Sequence, residues 1–277
     1  MFDIIAKPMG QILYFIYDNL AFKSYGIALI IFTIFVKVLL LPLMIKQYHS
    51  MAKMQELGPK LKELQAKYKN DKEKLQQESW KLYQENNYNP ASGCLPLLIQ
   101  MPILLALWQV ISKPLTYMIG IHDKIDPLAK VLKVSTKGYT EINIISNFST
   151  SKVGNILSSN VSNIIEQMKH GFTFLGVNLG WIPSAEYKSH IVLLLIPILA
   201  AGTIFISTKM STVNTAQQMD NPMQKSMLLM GPMMTLIFSF SFPAGMGLYW
   251  IVGGVFQIFQ QMFINKLMAK KKEVQNK

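Results

Sequence analysis

Long apolar runs separated by lysine-rich stretches dominate the chain. The first, Tyr25–Ile45, reads YGIALIIFTIFVKVLLLPLMI and is long enough to cross a bilayer as a helix. Further runs at Cys94–Ile111, Ile191–Ser207, Ser226–Phe242 and Gly245–Ile264 predict four more spans, each interrupted by Pro, Gly or Gln. Ile191–Ser207 and Ser226–Phe242 have only 17 residues, the short end of the spanning range, which predicts local thinning of the bilayer. Before the first span, Ile4, Ile5, Pro8, Met9, Ile12, Leu13 and Ile16 recur at helical spacing, as in a short amphipathic helix lying in the interface.

The segment Gln47–Asn87 is polar and charged, yet Met51, Met54, Leu57, Leu61, Leu64 and Tyr68 recur every three or four residues. A second helix is predicted from Asn70, where Asn70 and Glu73 have capping-box spacing, towards Asn86. The two would pair as an antiparallel hairpin, with Gly58-Pro59 kinking or restarting the first helix. A connector between adjacent spans needs only a handful of residues. A half-covered stripe containing methionine suits contact with varied apolar segments, so Met51, Met54, Leu57, Leu61 and Leu64 are candidate client or partner contacts. The alternative is a solvated connector.

The pattern therefore predicts an all-α membrane protein. Its parts are an amphipathic head (1–24), span 1 (25–45), a helical hairpin (46–90), span 2 (91–112) and an outer region (113–189). Span 3 (190–208), a loop (209–225), span 4 (226–242), a turn with span 5 (243–264) and a basic tail (265–277) follow.

Charge adds orientation. All 27 basic residues are lysine, and the formal net charge is +12. Sixteen of the lysines fall in the hairpin segment, the loop after span 3 and the tail, all on one side of a five-span chain. The positive-inside rule then places the N-terminus outside and the C-terminus in the cytoplasm. So distributed, the charge points to a bilayer and not to nucleic acid. The 69-residue region Ile121–Ser189, with seven lysines, is long enough to escape the rule. The lone Cys94 cannot form an internal disulfide.

Lys37 changes the picture most. A charge at mid-membrane costs about 2.5–3.5 kcal/mol on insertion scales, and the fourteen Leu, Ile, Phe and Val residues between Ile27 and Ile45 return roughly 4–8 kcal/mol together. The helix inserts regardless. Lys46, the first lysine of the polar region, is nine residues on, or about 14 Å along a helix, roughly twice a lysine's reach. Snorkelling would need tilt or thinning, so a polar, water-containing space inside the protein is the stronger expectation.

Other polar groups within the spans are Thr33, Gln100, Gln109, Thr203, Ser207, Thr235, Ser239, Gln257, Gln260 and Gln261. For the serines and threonines, helix–helix hydrogen bonding is the plainer expectation. For Lys37 with Gln100 or Gln257 it is a hydrated cavity. No HExxH motif occurs, and His49, His122, His170 and His190 are scattered over polar regions. Ser92 has no histidine in a span to activate it, so an enzyme, a metal and a cofactor are not expected.

NPASGCLPLLIQMPILLALW (Asn89–Trp108), MQELGPKLKELQAKY (Met54–Tyr68), PILAAGTIF (Pro197–Phe205) and FPAGMGLYW (Phe242–Trp250) occur in order. In these motifs the chain resembles the YidC-type membrane protein insertases, in the five-span form of Gram-positive bacteria. The resemblance implies insertion and folding of nascent membrane proteins, alone or with the Sec translocon, with the ribosome as a further partner. It implies a groove open to the cytoplasm and lipid, with Lys37 as its positive charge and Trp250 facing the same space. Thr33, Gln100, Gln109, Thr203, Ser207 and Gln257 are the other candidate lining residues. The family residue at position 37 is usually arginine, so charge is kept while the planar fork of donors is lost. Many relatives are also expected to carry a glutamine near Ser207. The residues alone leave two other readings, a small-solute channel or transporter and a scaffold that anchors a partner through the hairpin.

Overall fold

The computed structural model describes residues 3–89, 95–136, 138–212 and 222–275. It is almost entirely helical. Helix α1 (Asp3–Asn19) leads through a tight turn into α2 (Tyr25–Lys67), a helix of 43 residues that carries the first apolar run straight into the polar segment. Of the kink or restart expected at Gly58-Pro59, the restart does not occur, and the helix continues through both Pro42 and Pro59. Helix α3 (Lys72–Glu85) turns back against α2. Its cap is Asp71, one residue beyond the expected Asn70, because the Asp71 carboxylate accepts from the Lys74 backbone N–H at 3.0 Å. No side chain of α3 is buried and Trp80 is exposed, so the hairpin is covered on one side only.

Helix α4 (Leu95–Ser112) runs on through a five-residue π turn (Leu115–Ile119) into the outer region. There α5 (Ile125–Leu132), α6 (Thr140–Ser146), α7 (Thr150–Val153) and α8 (Ser159–Gly171) precede a two-residue-per-strand hairpin, β1 (Thr173–Phe174) and β2 (Val177–Asn178), and α9 (Pro183–Glu186). Leu128, Ile144, Ile145, Phe148, Ile165 and Met168 are wholly buried or nearly so. The Ser/Asn-rich stretch is thus a packed subdomain with its own apolar centre. It is tied to the helices beneath it. Tyr25 stacks on Phe172 with ring centroids 4.2 Å apart, and the backbone N–H groups of Ala244 and Gly245 each donate, at 2.8 Å, to the carbonyls of Trp181 and Leu179.

A short 3-10 turn (Ile191–Leu194) opens α10 (Leu195–Thr212), followed by α11 (Pro222–Ser241) and α12 (Ala244–Gln275). Among the described residues, three stretches are long and apolar enough to cross a membrane: Tyr25–Ile45, Ile191–Ser211 and Ala244–Lys266. Ile191–Ser211 has 21 residues, so span 3 is not short, whereas in α11 the apolar stretch among the described residues is the shorter Leu229–Ser241.

The glycines of α12 fix how these helices run. A side chain on Gly245 would meet Leu29, and one on Gly253 would meet Lys37, eight residues further along both helices. A side chain on Gly247 would meet Ile196, and one on Gly254 would meet Thr203, seven residues further along both. Helices α2 and α10 therefore both lie parallel to α12, which sits between them.

Helix α1 has three faces where the sequence suggested two. Ala6, Gly10, Leu13, Ile16 and Tyr17 are buried against α4, the π turn and α2. Ile4, Ile5, Ile12 and Phe15 form a separate apolar stripe that stays exposed, and Asp3, Lys7 and Gln11 line a cleft. The predicted single face, which joined Leu13 and Ile16 to Ile4 and Ile12, is split because α1 packs on protein along one side.

Candidate functional site

Lys37 lies on the α2–α12 seam, half-buried. Its Cε is 3.2 Å and its Nζ 3.7 Å from where a Cβ on Gly253 would stand, so the absence of a side chain there makes room for the lysine. Among the described residues it makes no hydrogen bond or ion pair. An ammonium group withdrawn from bulk solvent needs acceptors. On α12, Trp250, Gly253 and Gln257 follow at helical spacing along the face that meets Lys37, and both larger side chains are half-buried. Gln260 and Gln261 lie one turn further on and are buried; neither amide atom of Gln260 has a partner among the described residues. Gln261 donates to Asn265 Oδ1 at 2.8 Å.

The hydroxyl residues behave differently from expectation. Thr33 donates to the Leu29 carbonyl at 2.6 Å, Thr203 to Ala200 at 3.0 Å, Ser207 to Ile204 at 3.0 Å and Thr235 to Gly231 at 3.0 Å. Each satisfies itself on its own helix instead of bridging two, as short hydroxyl side chains can. Thr203 nonetheless marks the α10–α12 crossing, because it occupies the space beside Gly254. The Gly253–Gly254 pair thus lets Lys37 approach on one side and Thr203 on the other. Sequence reasoning passed over this pair, although adjacent small residues in an apolar helix signal close approach.

Gln109 is engaged elsewhere. Its amide oxygen lies 3.5 Å from the Tyr117 hydroxyl, whose single proton is donated to Asp3 Oδ1 at 2.6 Å. This bond holds the Asp3 carboxyl below its ordinary pKa, while burial and the Asp3 contact push Tyr117 up to about 12. The same corner contains the cleft, about 560 Å³ in volume, lined by Asp3, Lys7, Gln11, Lys113, Thr116 and His122. Beneath it the buried Glu141 accepts from the Thr116 N–H at 2.9 Å and its hydroxyl at 2.5 Å; burial raises its pKa despite those bonds.

In the hairpin Leu57 is buried, and Leu61 and Leu64 are half-buried. The side chains of Met51, Met54 and Gln100 lie outside the described residues, as do residues 90–94 of the Asn89–Trp108 motif.

A bundle with three helices able to cross a bilayer, two of them laid parallel to the third and a lysine on one seam, defines a multi-pass helical membrane protein. Residues 15–272 match the family described as 60Kd inner membrane protein, and the chain belongs to that family. It is 33% identical over 266 residues to a protein of Bacillus anthracis named membrane protein insertase YidC 2, covering 95% of this chain and 80% of that one. A Clostridium perfringens protein named membrane protein insertase YidC is 34% identical over 254 residues, covering 90% and 82%. A Pelobacter propionicus protein of the same name is 32% identical over 267 residues; the match takes in 96% of this chain but only 39% of that longer protein.

Proposed function

We propose that this protein is a membrane protein insertase, which moves nascent segments from the cytoplasmic side into the bilayer without nucleotide hydrolysis. The observation that carries the reading is Lys37, packed on Gly253 within a bilayer-length helix and lacking a partner among the described residues. The names of the relatives at about one-third identity support the same activity.

The direction of the helices supports five spans. If α2, α10 and α12 all cross the membrane in parallel, the chain must cross back an odd number of times between each successive pair, and one return is the simplest route. The apolar helices available for this are α4 and α11. The lysine distribution then puts the hairpin, the loop after α10 and the tail in the cytoplasm, and the packed subdomain outside.

In the proposed mechanism, the polar or acidic flank of a client enters a hydrated groove beside Lys37, Trp250 and Gln257. Water there spares it part of the passage through hydrocarbon about 30 Å thick. The ammonium attracts client carboxylates, and the apolar part of the client leaves sideways into lipid. The half-covered hairpin is the proposed contact for emerging clients, the ribosome or the Sec translocon.

Protease protection of a newly translated single-span client with a short acidic outer tail, in liposomes carrying the protein, tests this. Wild type and Lys37→Arg should protect the tail, and an equally well incorporated Lys37→Leu should protect several-fold less. Equal protection by Lys37→Leu would remove the charge from the mechanism. No protection above empty liposomes by any form would remove the insertase reading.

A further inference from the structure

Two bulky apolar residues outside the bundle are held in a backbone conformation that disfavours them. Phe22 (φ 50°) and Leu175 (φ 50°) are in the left-handed region, as are the residues that follow them, Lys23 (φ 59°) and Gly176 (φ 78°). With Phe174 paired to Val177, Leu175-Gly176 is a two-residue hairpin loop in which both residues have positive φ. Asn-Gly fits such a loop with little strain, whereas leucine meets a steric cost. Neither side chain recovers that cost by packing on protein: Phe22 is 91% exposed and Leu175 is 88% exposed.

Their position shows what could cover them. A side chain on Gly26, in the first turn of α2, would meet Phe174, and one on Gly171 would meet the Lys23 carbonyl. Both tips therefore lie level with the first turn of the apolar helix Tyr25–Ile45. Nearby, Leu20 is exposed, and the outward stripe of α1 (Ile4, Ile12, Phe15) leads to the same turn. Lys23 forms an ion pair with Asp18, as suits the headgroup layer just above.

We propose that the outer subdomain is fastened to the bilayer by these two tips, Phe22 and Leu175, whose side chains enter the acyl chains of the outer leaflet beside α2. The occupant is phospholipid, because both tips are apolar, almost fully exposed and level with the first turn of a helix long enough to cross a bilayer. The proposal rests on the reading that α2 spans the membrane with its N-terminal end outside.

The test uses the full chain in phospholipid vesicles. With Cys94→Ser to remove the native thiol, a nitroxide is attached in turn at Phe22→Cys, Leu175→Cys, Lys152→Cys on the exposed subdomain surface, and Leu39→Cys on the exposed face of α2. Collision rates with oxygen and with a water-soluble nickel chelate are then compared. The oxygen-to-nickel ratio at both tips should be several-fold above that at Lys152→Cys and close to that at Leu39→Cys. A ratio matching Lys152→Cys would overturn the proposal. Low collision with both reagents would put a protein surface there and overturn it equally. The orientation is read separately, by whether an impermeant thiol reagent reaches Lys152→Cys from outside.

Discussion

Glu141 is the clearest case of one side chain whose charge works against its surroundings. Burial raises its pKa above the ordinary carboxylate value, so the folded protein holds a proton more readily than the unfolded chain. Stability from this group is present in full below the unfolded pKa and is lost as pH rises through the raised folded one. Thermal unfolding of the outer subdomain should therefore shift to higher temperature on acidification over that window, and Glu141→Gln should flatten the shift. An unchanged profile in the variant would assign the dependence to other groups. Lys37 is the opposite case in legibility: its oddity could be read from sequence, because one charge in a 21-residue apolar run is visible without coordinates. The Gly253–Gly254 pair signals a close approach in sequence, but which helix meets Gly253 does not show there. Gln109 illustrates the same limit. Its type suggested a place near Lys37, yet it lies against Tyr117, and nothing in the spacing of either residue foretells that contact.

At the scale of elements, the seam between α2 and α12 yields a quantitative expectation. A methyl group at Gly253 would stand 3.2 Å from Lys37 Cε, so a flexible lysine stem can yield by a few tenths of an ångström. Gly253→Ala should retain client protection near wild type, whereas Gly253→Leu should displace the ammonium and reduce protection as far as Lys37→Leu does. Because both act on one contact, the double variant should be no worse than either single one. Additive losses would separate the glycine from the lysine. The hairpin offers a smaller effect: Asp71→Ala removes the cap of α3 and should destabilise it by about 1 kcal/mol, seen as faster amide exchange across Lys72–Glu85 with α10 unaffected. The existence of the long apolar helices and of the hairpin was legible, since apolar periodicity is local, whereas the short helices of the outer region, α5 to α9, were not expected. Helix ends were not. The apolar window of span 3 stopped at Ser207 because hydropathy falls there, while backbone hydrogen bonding carried α10 on to Thr212. Likewise Gly58-Pro59 looked like a break, yet α2 runs through it. For α1, a count of apolar positions cannot separate a face covered by protein from one that is not.

For the whole molecule, the relation among α2, α10 and α12 constrains topology more strongly than any span count. Two crossing helices that run parallel must be separated by an odd number of returns, so the contacts of α12 limit the route of the chain between them. Direction is open to a direct check in the Cys94→Ser background. With α2 and α12 parallel, Leu29→Cys paired with Gly245→Cys should be joined by a short thiol cross-linker, because a side chain on Gly245 would lie 3.3 Å from Leu29 Cδ1. Leu29→Cys paired with Gly253→Cys should not be, since eight residues of helix separate the second site from the first by about 12 Å. The reverse result would mean that α12 runs against α2. The chain would then need a different number of crossings, and the basic tail would leave the side of the membrane that holds the hairpin. Efficient cross-linking of the first pair alone keeps both lysine-rich segments on one face, where a client emerging in the cytoplasm would meet the hairpin before the seam that carries Lys37.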